Sequence, residues 1–213
     1  MSIWILLVDL LRALLFAVAH VAGGTGASIL IVSTAIRVAL LPVTLRMARL
    51  AREHQDAVRR LEPEIARIRR RYAGDPARIL EETAALYKKT GVGVMPRGAL
   101  ASMLIQAPIY GAFYQAITTS ARKLGGFLWI RDLAAPDLGV AVVASLLAAV
   151  AAKIDATTGG SSRASVVAAA ITLLFAWRLS AGAALYWVAS NTVGAGQALI
   201  LRREAGISRT PAK

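Results

Sequence analysis

Residues 27–45 read ASILIVSTAIRVALLPVTL, an apolar run with one arginine, Arg37, near its middle. At 1.5 Å per residue, a helix of this length crosses a hydrocarbon core of about 30 Å. Insertion scales put an arginine at the centre of a span at about 2.5–3.5 kcal/mol unfavourable. Snorkelling to a headgroup is the alternative, and it is strained because either end of the run is roughly 12 Å away. We therefore predict that Arg37 faces a buried polar chamber.

Other apolar stretches also carry polar residues that lipid would penalise. Ser33 lies one helical turn before Arg37, on the same face. Residues 98–118 contain Gln106, and the last stretch contains Tyr186, Ser190, Gly194 and Gln197 along one face with Asn191 adjacent. Each polar residue alone is explained by interhelical hydrogen bonding, worth about 0.6 kcal/mol on average. Together with a buried cation, they predict a shared hydrated cavity.

The composition places the whole chain in a membrane. Of its 213 residues 57% are hydrophobic and 17% are charged, whereas soluble domains carry about 25% charged residues. We predict an all-α, polytopic membrane protein with five transmembrane helices. These spans are residues 27–45, 98–118, 138–152, 164–177 and 181–201. The third and fourth are short, so the bilayer must thin there unless flanking residues lengthen the helices.

The first apolar stretch, residues 1–22, carries Asp9 and Arg12 on one narrow polar stripe. A polar stripe on an apolar helix favours an amphipathic helix that lies in the membrane interface, with Trp4 as an anchor. A signal sequence or a first span are the alternatives.

Residues 46–97 are strongly basic, with 13 Arg or Lys against seven acids. Leu61, Ile65, Ile68 and Tyr72 recur at coiled-coil spacing, and Gly74-Asp75-Pro76 predicts a turn into a second helix. The excess of positive charge predicts a cytoplasmic helical hairpin. It follows that the N-terminus and the loop at 119–137 are extracytoplasmic, while the short loop at 153–163 and the basic tail at 202–213 are cytoplasmic.

No motif in the sequence indicates an enzyme. There is no P-loop, no HExxH and no cysteine, and the two histidines lack metal-ligand spacing. We predict no catalytic residues, no metal and no cofactor. Nucleic-acid recognition would need aromatic side chains that stack on bases, and the basic hairpin contains only Tyr72 and Tyr87. Specific nucleic-acid recognition is therefore not expected.

Five segments in order resemble the YidC/Oxa family of membrane protein insertases, and the resemblance covers about residues 1–203. The segments are IRVALLPVT at 36–44, ALYKKTGV at 85–92, LIQAPIYGAFYQAI at 104–117, FLWIRDLAAPD at 127–137 and LYWVASN at 185–191. The resemblance implies a minimal form without the large extracytoplasmic domain of some members, in the bacterial plasma membrane.

The implied activity is to accept hydrophobic segments of nascent proteins into a hydrophilic groove and release them into lipid without ATP. The family's groove arginine falls on Arg37, its second-span glutamine on Gln106 and its last-span pair on Ser190 and Asn191. With the residues chosen above, the expected groove comprises Arg37, Ser33, Gln106, Ser190, Asn191 and Gln197. The expected recruitment residues on the hairpin are Arg67, Arg69, Arg70, Arg71, Lys88 and Lys89.

The implied partners are newly synthesised membrane proteins and lipid, together with the ribosome and the Sec translocon. Two other functions remain open at this point: a small channel or transporter, and an assembly factor of the same fold that inserts nothing. No inverted repeat and no second buried charge to pair with Arg37 are visible, which counts against coupled transport.

Overall fold

A computed structural model describes residues 3–93, 97–120, 125–156 and 162–207. Within these residues the secondary structure consists of eight α-helices and one isolated bridge, so the all-α prediction is confirmed. The helices are α1 (Ile3–Ala22), α2 (Thr25–Ala39), α3 (Leu41–Arg71), α4 (Pro76–Thr90), α5 (Arg97–Ser120), α6 (Leu138–Ala156), α7 (Ser162–Arg178) and α8 (Ala181–Ile207).

The chain divides into two compact units. The bundle unit comprises Met1–Leu41 and Pro108–Lys213, and the hairpin unit comprises Pro42–Ala107. Helix α5 contributes its first part to the hairpin unit and its part from Pro108 onward to the bundle unit.

The apolar run at 27–45 is divided between two helices. Helix α2 ends at Ala39, Leu40 caps it, and Leu41 begins α3. Pro42 explains the break, because proline lacks the N–H that would bond the carbonyl of Val38 and its ring crowds that carbonyl. From the sequence, the run was expected to form one continuous span. Whether its two parts cross the membrane together remains a prediction.

The bundle unit is built around one apolar core. Helix α2 packs against α1 and α8, and α6 packs against α7 and α8. Phe113 and Ile117 of α5 are almost fully buried, as are Ile29 and Val32 of α2. All of these side chains join a single cluster that extends along α8 as far as Tyr186.

Outside this core, several helices expose rows of large apolar side chains. On α6, Leu138, Val142 and Leu146 are exposed at spacings of four residues, and on α7 Ile171, Leu174 and Phe175 are exposed. Helix α1 buries Val8, Leu11 and Leu15 but exposes most of its other large apolar side chains. Such surfaces are normal in lipid and unfavourable in water.

Length and hydropathy alone identify few spans among the described residues. Helix α1 is long and apolar enough to cross a membrane, and α2 and α3 qualify only when taken together as one broken span. Helices α6 and α7 contain shorter apolar segments, Leu138–Ile154 and Ser165–Arg178. Five spans and an interfacial α1 therefore remain predictions. On α1, the charges of Asp9 and Arg12 lie 3.6 Å apart on the exposed surface.

The later helices are longer than the sequence analysis expected. Helix α6 extends four residues beyond the predicted end at 152 and α7 begins two residues before the predicted start at 164. Helix α8 continues through Arg202 and Arg203, the start of the predicted tail. Residues 157–161 of the predicted cytoplasmic loop and 208–213 of the tail lie outside the described residues.

Residues 125–137 fold into an ordered cap at one end of the bundle unit. The carbonyls of Ala135 and Leu133 accept hydrogen bonds from the first amides of α8, those of Ala181 (2.8 Å) and Gly182 (2.9 Å). Ile130 and Leu133 are buried in the core. The cap thus satisfies helix-terminal donors that would otherwise lack partners and closes this end of the core with apolar side chains.

The hairpin unit contains α3, a tight turn and α4. Asp75 caps α4 by accepting a hydrogen bond from the Arg78 amide at 3.0 Å, and Gly91 ends it in the left-handed conformation with φ of 70°. The Tyr72 hydroxyl lies 3.4 Å from Glu82 and links the two arms. Helices α3 and α4 and the turn between them occupy most of residues 46–97, and the assignment of this segment as a cytoplasmic hairpin remains a prediction.

Candidate functional site

Arg37 occupies the last turn of α2 and is half-buried. Its Nη2 atom donates a long hydrogen bond of 3.5 Å to the Tyr186 hydroxyl on α8. Its guanidinium carbon lies 5.8 Å from the centre of the Tyr186 ring, within the range of a cation–π contact. The cation at the middle of the predicted first span is therefore directed toward a protein aromatic group.

Tyr186 is itself held firmly. Only 3% of its surface is exposed. The ring centre of Phe113 lies 4.9 Å away and that of Tyr110 lies 5.6 Å away, both on α5. Trp187 also contacts Tyr110, with ring centres 5.9 Å apart. Tyr186 is consequently a fixed platform at the edge of the core, on which the guanidinium of Arg37 rests.

Ser33 lies one turn before Arg37 and is fully buried. Its hydroxyl oxygen has no hydrogen-bond partner among the residues that the structure describes. A buried hydroxyl left unpaired costs about 1–3 kcal/mol. The fold therefore retains an unpaired polar atom on the same helix face as the cation.

Beyond Tyr186, the same face of α8 becomes polar and more open. Ser190, Gly194 and Gln197 follow at helical spacing, and all three are half-buried. A Cβ atom added at Gly194 would meet no described atom within 4 Å. Along this face of α8, aromatic rings therefore cover Tyr186, whereas free space borders Gly194.

Asn191 has a different environment. Its side-chain amide donates a 2.9 Å hydrogen bond to the carbonyl of Ala144 on α6. Ser145 makes an analogous bond from α6 to the carbonyl of Ala169 on α7, at 2.8 Å. Both bonds connect neighbouring helices, the structural role that the sequence analysis considered for single polar residues.

Gln106 is half-buried and belongs to the hairpin unit, whereas Arg37 belongs to the bundle unit. A groove that includes Gln106 remains a prediction. The expected recruitment residues Arg67, Arg69, Arg70, Arg71, Lys88 and Lys89 are all exposed. Their charges are therefore accessible on the hairpin surface.

Among the described residues, no three His, Asp or Glu side chains are grouped closely enough to hold a metal ion. Tyr110 and Trp187 were not expected at this site, and Tyr186 was expected on the polar face of the last stretch but not among the groove residues. Tyr186 was identifiable in part, because it lies on the same α8 face as Ser190. Its contact with Arg37 joins residues 149 positions apart, and no local pattern reveals such a pairing.

Comparison with known proteins gives consistent matches. A family model described as "60Kd inner membrane protein" matches residues 17–208. The chain is 29% identical over 185 residues to the protein named membrane protein insertase YidC of Clostridium tetani, covering 84% of this chain and 81% of that protein. It is 30% identical over 205 residues to the Legionella pneumophila (strain Corby) protein of the same name, covering 92% of this chain and 35% of that protein.

A solved structure with the same fold is among the matches. It is described as "Active YidC insertase crystal structure with the first transmembrane domain resolved", and it matches with a TM-score of 0.63 at 19% identity. The match covers 100% of this chain and 48% of the solved one. The present chain therefore spans about half of the solved chain and about a third of the Legionella protein.

Proposed function

Because the chain belongs to the YidC/Oxa family of 60Kd inner membrane proteins, we propose that it is an insertase and chaperone for membrane proteins. It accepts hydrophobic segments of newly made proteins at the cytoplasmic side of the bacterial inner membrane and releases them into lipid. The observation that carries this proposal is the half-buried guanidinium of Arg37, supported by Tyr186 where the apolar core gives way to a polar helix face.

The first step is to lower the cost of bringing polar groups to membrane depth. A substrate carboxylate about 4 Å from Arg37 would gain roughly 4 kcal/mol at an effective dielectric constant near 20. That gain is comparable to the insertion cost of about 2.5–3.5 kcal/mol for an acidic residue at mid-membrane. Arg37 therefore favours substrates whose translocated ends carry acidic residues.

The groove is proposed to have a closed end and an open end. Phe113, Tyr186 and the cap at 125–137 close the extracytoplasmic end with apolar packing. Ser190 and Gln197 extend a polar surface away from it, and free space borders Gly194. Ser33 supplies a buried hydroxyl on the face of α2 that carries Arg37, and Asn191 supports the groove from behind by fixing α8 to α6.

Release needs no covalent step and no ATP in this mechanism. Once its polar end has passed the groove, the hydrophobic segment of the substrate slides sideways into the bilayer, where burial of apolar surface drives the transfer. The exposed basic residues of α3 and α4 receive the substrate beforehand and provide a docking surface for the ribosome or the Sec translocon. The basic excess of the hairpin sets its cytoplasmic location, with the N-terminus outside and the C-terminus inside.

Reconstitution of the purified protein in liposomes with one short single-span substrate tests the proposal. Insertion is measured as protection of the translocated end from added protease. We expect protection in proteoliposomes without ATP and none in empty liposomes. Ion flux across the same vesicles without protection of the substrate would instead show a channel. If the vesicles showed neither protection nor ion flux, an assembly role would be the remaining function.

A further inference from the structure

The cap at 125–137 carries a tight turn whose tip projects two large apolar side chains. Phe127 and Ile130 exchange backbone hydrogen bonds of 2.8 and 2.9 Å, which close the turn around Leu128 and Trp129. Leu128 is 75% exposed and Trp129 is 60% exposed. The tip therefore offers an apolar surface on a backbone that its own hydrogen bonds hold in place.

Both ends of the turn are also fixed by packing against the bundle unit. The Phe127 ring lies directly on Gly26 of α2, where no side chain separates ring and helix. Ile130, at the other end of the turn, is 3% exposed. Since both ends of the turn are anchored in the bundle unit, Leu128 and Trp129 cannot withdraw into the core without breaking these contacts.

Leu128 adopts φ of 54°, the one positive value recorded outside glycine among the described residues. Glycine or asparagine would adopt this conformation at lower cost, and a bulky residue there is an outlier. The backbone strain thus occurs at a residue whose large apolar side chain is left uncovered by the described residues.

The position of Trp129 identifies the contact. Its indole nitrogen lies 3.4 Å from the Asp137 carboxylate, and the same carboxylate caps α6 by accepting the Val140 amide at 2.9 Å. The indole thus lies level with the first turn of α6. Leu138 is exposed in that turn, and Val142 continues the exposed apolar row along the helix.

We propose that the Leu128–Trp129 tip is a membrane anchor that inserts into the interfacial layer of the bilayer. A tryptophan whose N–H is satisfied by protein and whose ring is exposed suits the boundary between headgroups and acyl chains. The tip lies level with the exposed apolar row of α6, which favours lipid over a protein partner. Arg131 follows the tip, is exposed, and provides a cation for lipid phosphate. This role holds whether or not the chain inserts substrates.

The absence of cysteine from the chain permits a direct test. Leu128→Cys is labelled with an environment-sensitive fluorophore, and the protein is reconstituted in vesicles of phosphatidylethanolamine and phosphatidylglycerol. The matched control is Arg70→Cys, on the exposed surface of the hairpin. Trp129→Cys serves as a second variant that leaves the strained Leu128 in place. Circular dichroism is used to check that each variant retains its helical content, and only folded samples are compared.

We expect blue-shifted emission for labels at positions 128 and 129, and stronger quenching by lipids spin-labelled near the headgroup than by lipids labelled deep in the chains. The label at position 70 should instead be quenched by aqueous iodide. Water-like emission and iodide quenching at both 128 and 129 in folded protein would overturn the anchor. Quenching strongest from deep spin labels would overturn its interfacial position.

Discussion

The guanidinium carbon of Arg37 lies 5.8 Å from the ring centre of Tyr186, and the two side chains also share a 3.5 Å hydrogen bond. The contact joins α2 to α8, the two helices that carry most of the proposed groove. Because Tyr186 is almost fully buried among aromatic rings, the position of the charge is set by the core. Arg37 therefore has a defined position and is still partly exposed at the protein surface.

Arg37→Ala should impair insertion of substrates whose translocated ends are acidic. Loss of the countercharge removes up to about 4 kcal/mol of stabilisation, which corresponds to a reduction in insertion of up to roughly a thousandfold. Substrates with neutral ends should be affected much less. Protease protection in proteoliposomes measures both, and Arg37→Lys is the matched control that retains a charge. Normal insertion of the acidic substrates by folded Arg37→Ala protein would refute the groove mechanism.

Two variants, Tyr186→Phe and Tyr186→Ala, distinguish the contribution of the Tyr186 hydroxyl to stability from that of its ring. The first variant removes only a long hydrogen bond and should cost at most about 1 kcal/mol of stability. The second leaves a cavity among Phe113 and Tyr110 and should cost about 3–5 kcal/mol. Thermal unfolding in detergent compares the two proteins. Equal losses of stability would show that the aromatic packing around Tyr186 contributes little.

Ser33→Ala should leave stability unchanged or raise it by about 1 kcal/mol, because the hydroxyl is buried without a described partner. Insertion by this variant is expected to fall if the hydroxyl lines the groove. A clear drop in unfolding temperature would reveal that the hydroxyl forms a hydrogen bond in the bilayer that stabilises the fold.

Gly26→Ala should destabilise the bundle unit, since the added Cβ would overlap the Phe127 ring. Overpacking of this kind costs about 1–3 kcal/mol, partly offset by the higher helix propensity of alanine, about 1 kcal/mol. Gly194→Ala is the matched control, because free space surrounds that position, and it should be neutral or stabilising. A comparison of unfolding temperatures would contradict the prediction if Gly26→Ala proved as stable as Gly194→Ala.

Replacing the six exposed basic residues of the hairpin with glutamine should reduce crosslinking of the protein to nascent chains. The replaced residues are Arg67, Arg69, Arg70, Arg71, Lys88 and Lys89. Because all six are exposed, helical content should be retained, whereas deletion of residues 50–88 removes the hairpin entirely and sets the lower limit of crosslinking. If both variants crosslink as strongly as the natural chain, the hairpin fixes topology only.

Much of the helical pattern was accessible from sequence, because apolar periodicity and turn residues act locally. The Gly74-Asp75-Pro76 turn is an example, since Asp75 caps α4 as its position before a proline suggests. The break after Ala39 was missed because the apolar run continues past Pro42 without a change in composition. Hydropathy reports solvent preference, whereas Pro42 acts through a missing backbone donor.

The candidate site could be predicted from the sequence only in part. Arg37 and Ser33 stand out because lipid penalises their chemistry wherever the chain folds. The direction of Asn191 toward Ala144 and the seating of Arg37 on Tyr186 depend on how α8 is rotated in the bundle. That rotation follows from packing of the whole core, and several rotations are compatible with the same sequence of α8.

The backbone bonds from Ala181 and Gly182 to the carbonyls of Ala135 and Leu133 impose an order of assembly. The acceptors leave the ribosome before the donors, and at about 5–20 residues per second the intervening chain takes several seconds to synthesise. During that interval the carbonyls of Ala135 and Leu133 lack these two donors. Synthesis of α8 is therefore the event that supplies these two donors and completes the hydrogen bonding of the cap at 125–137.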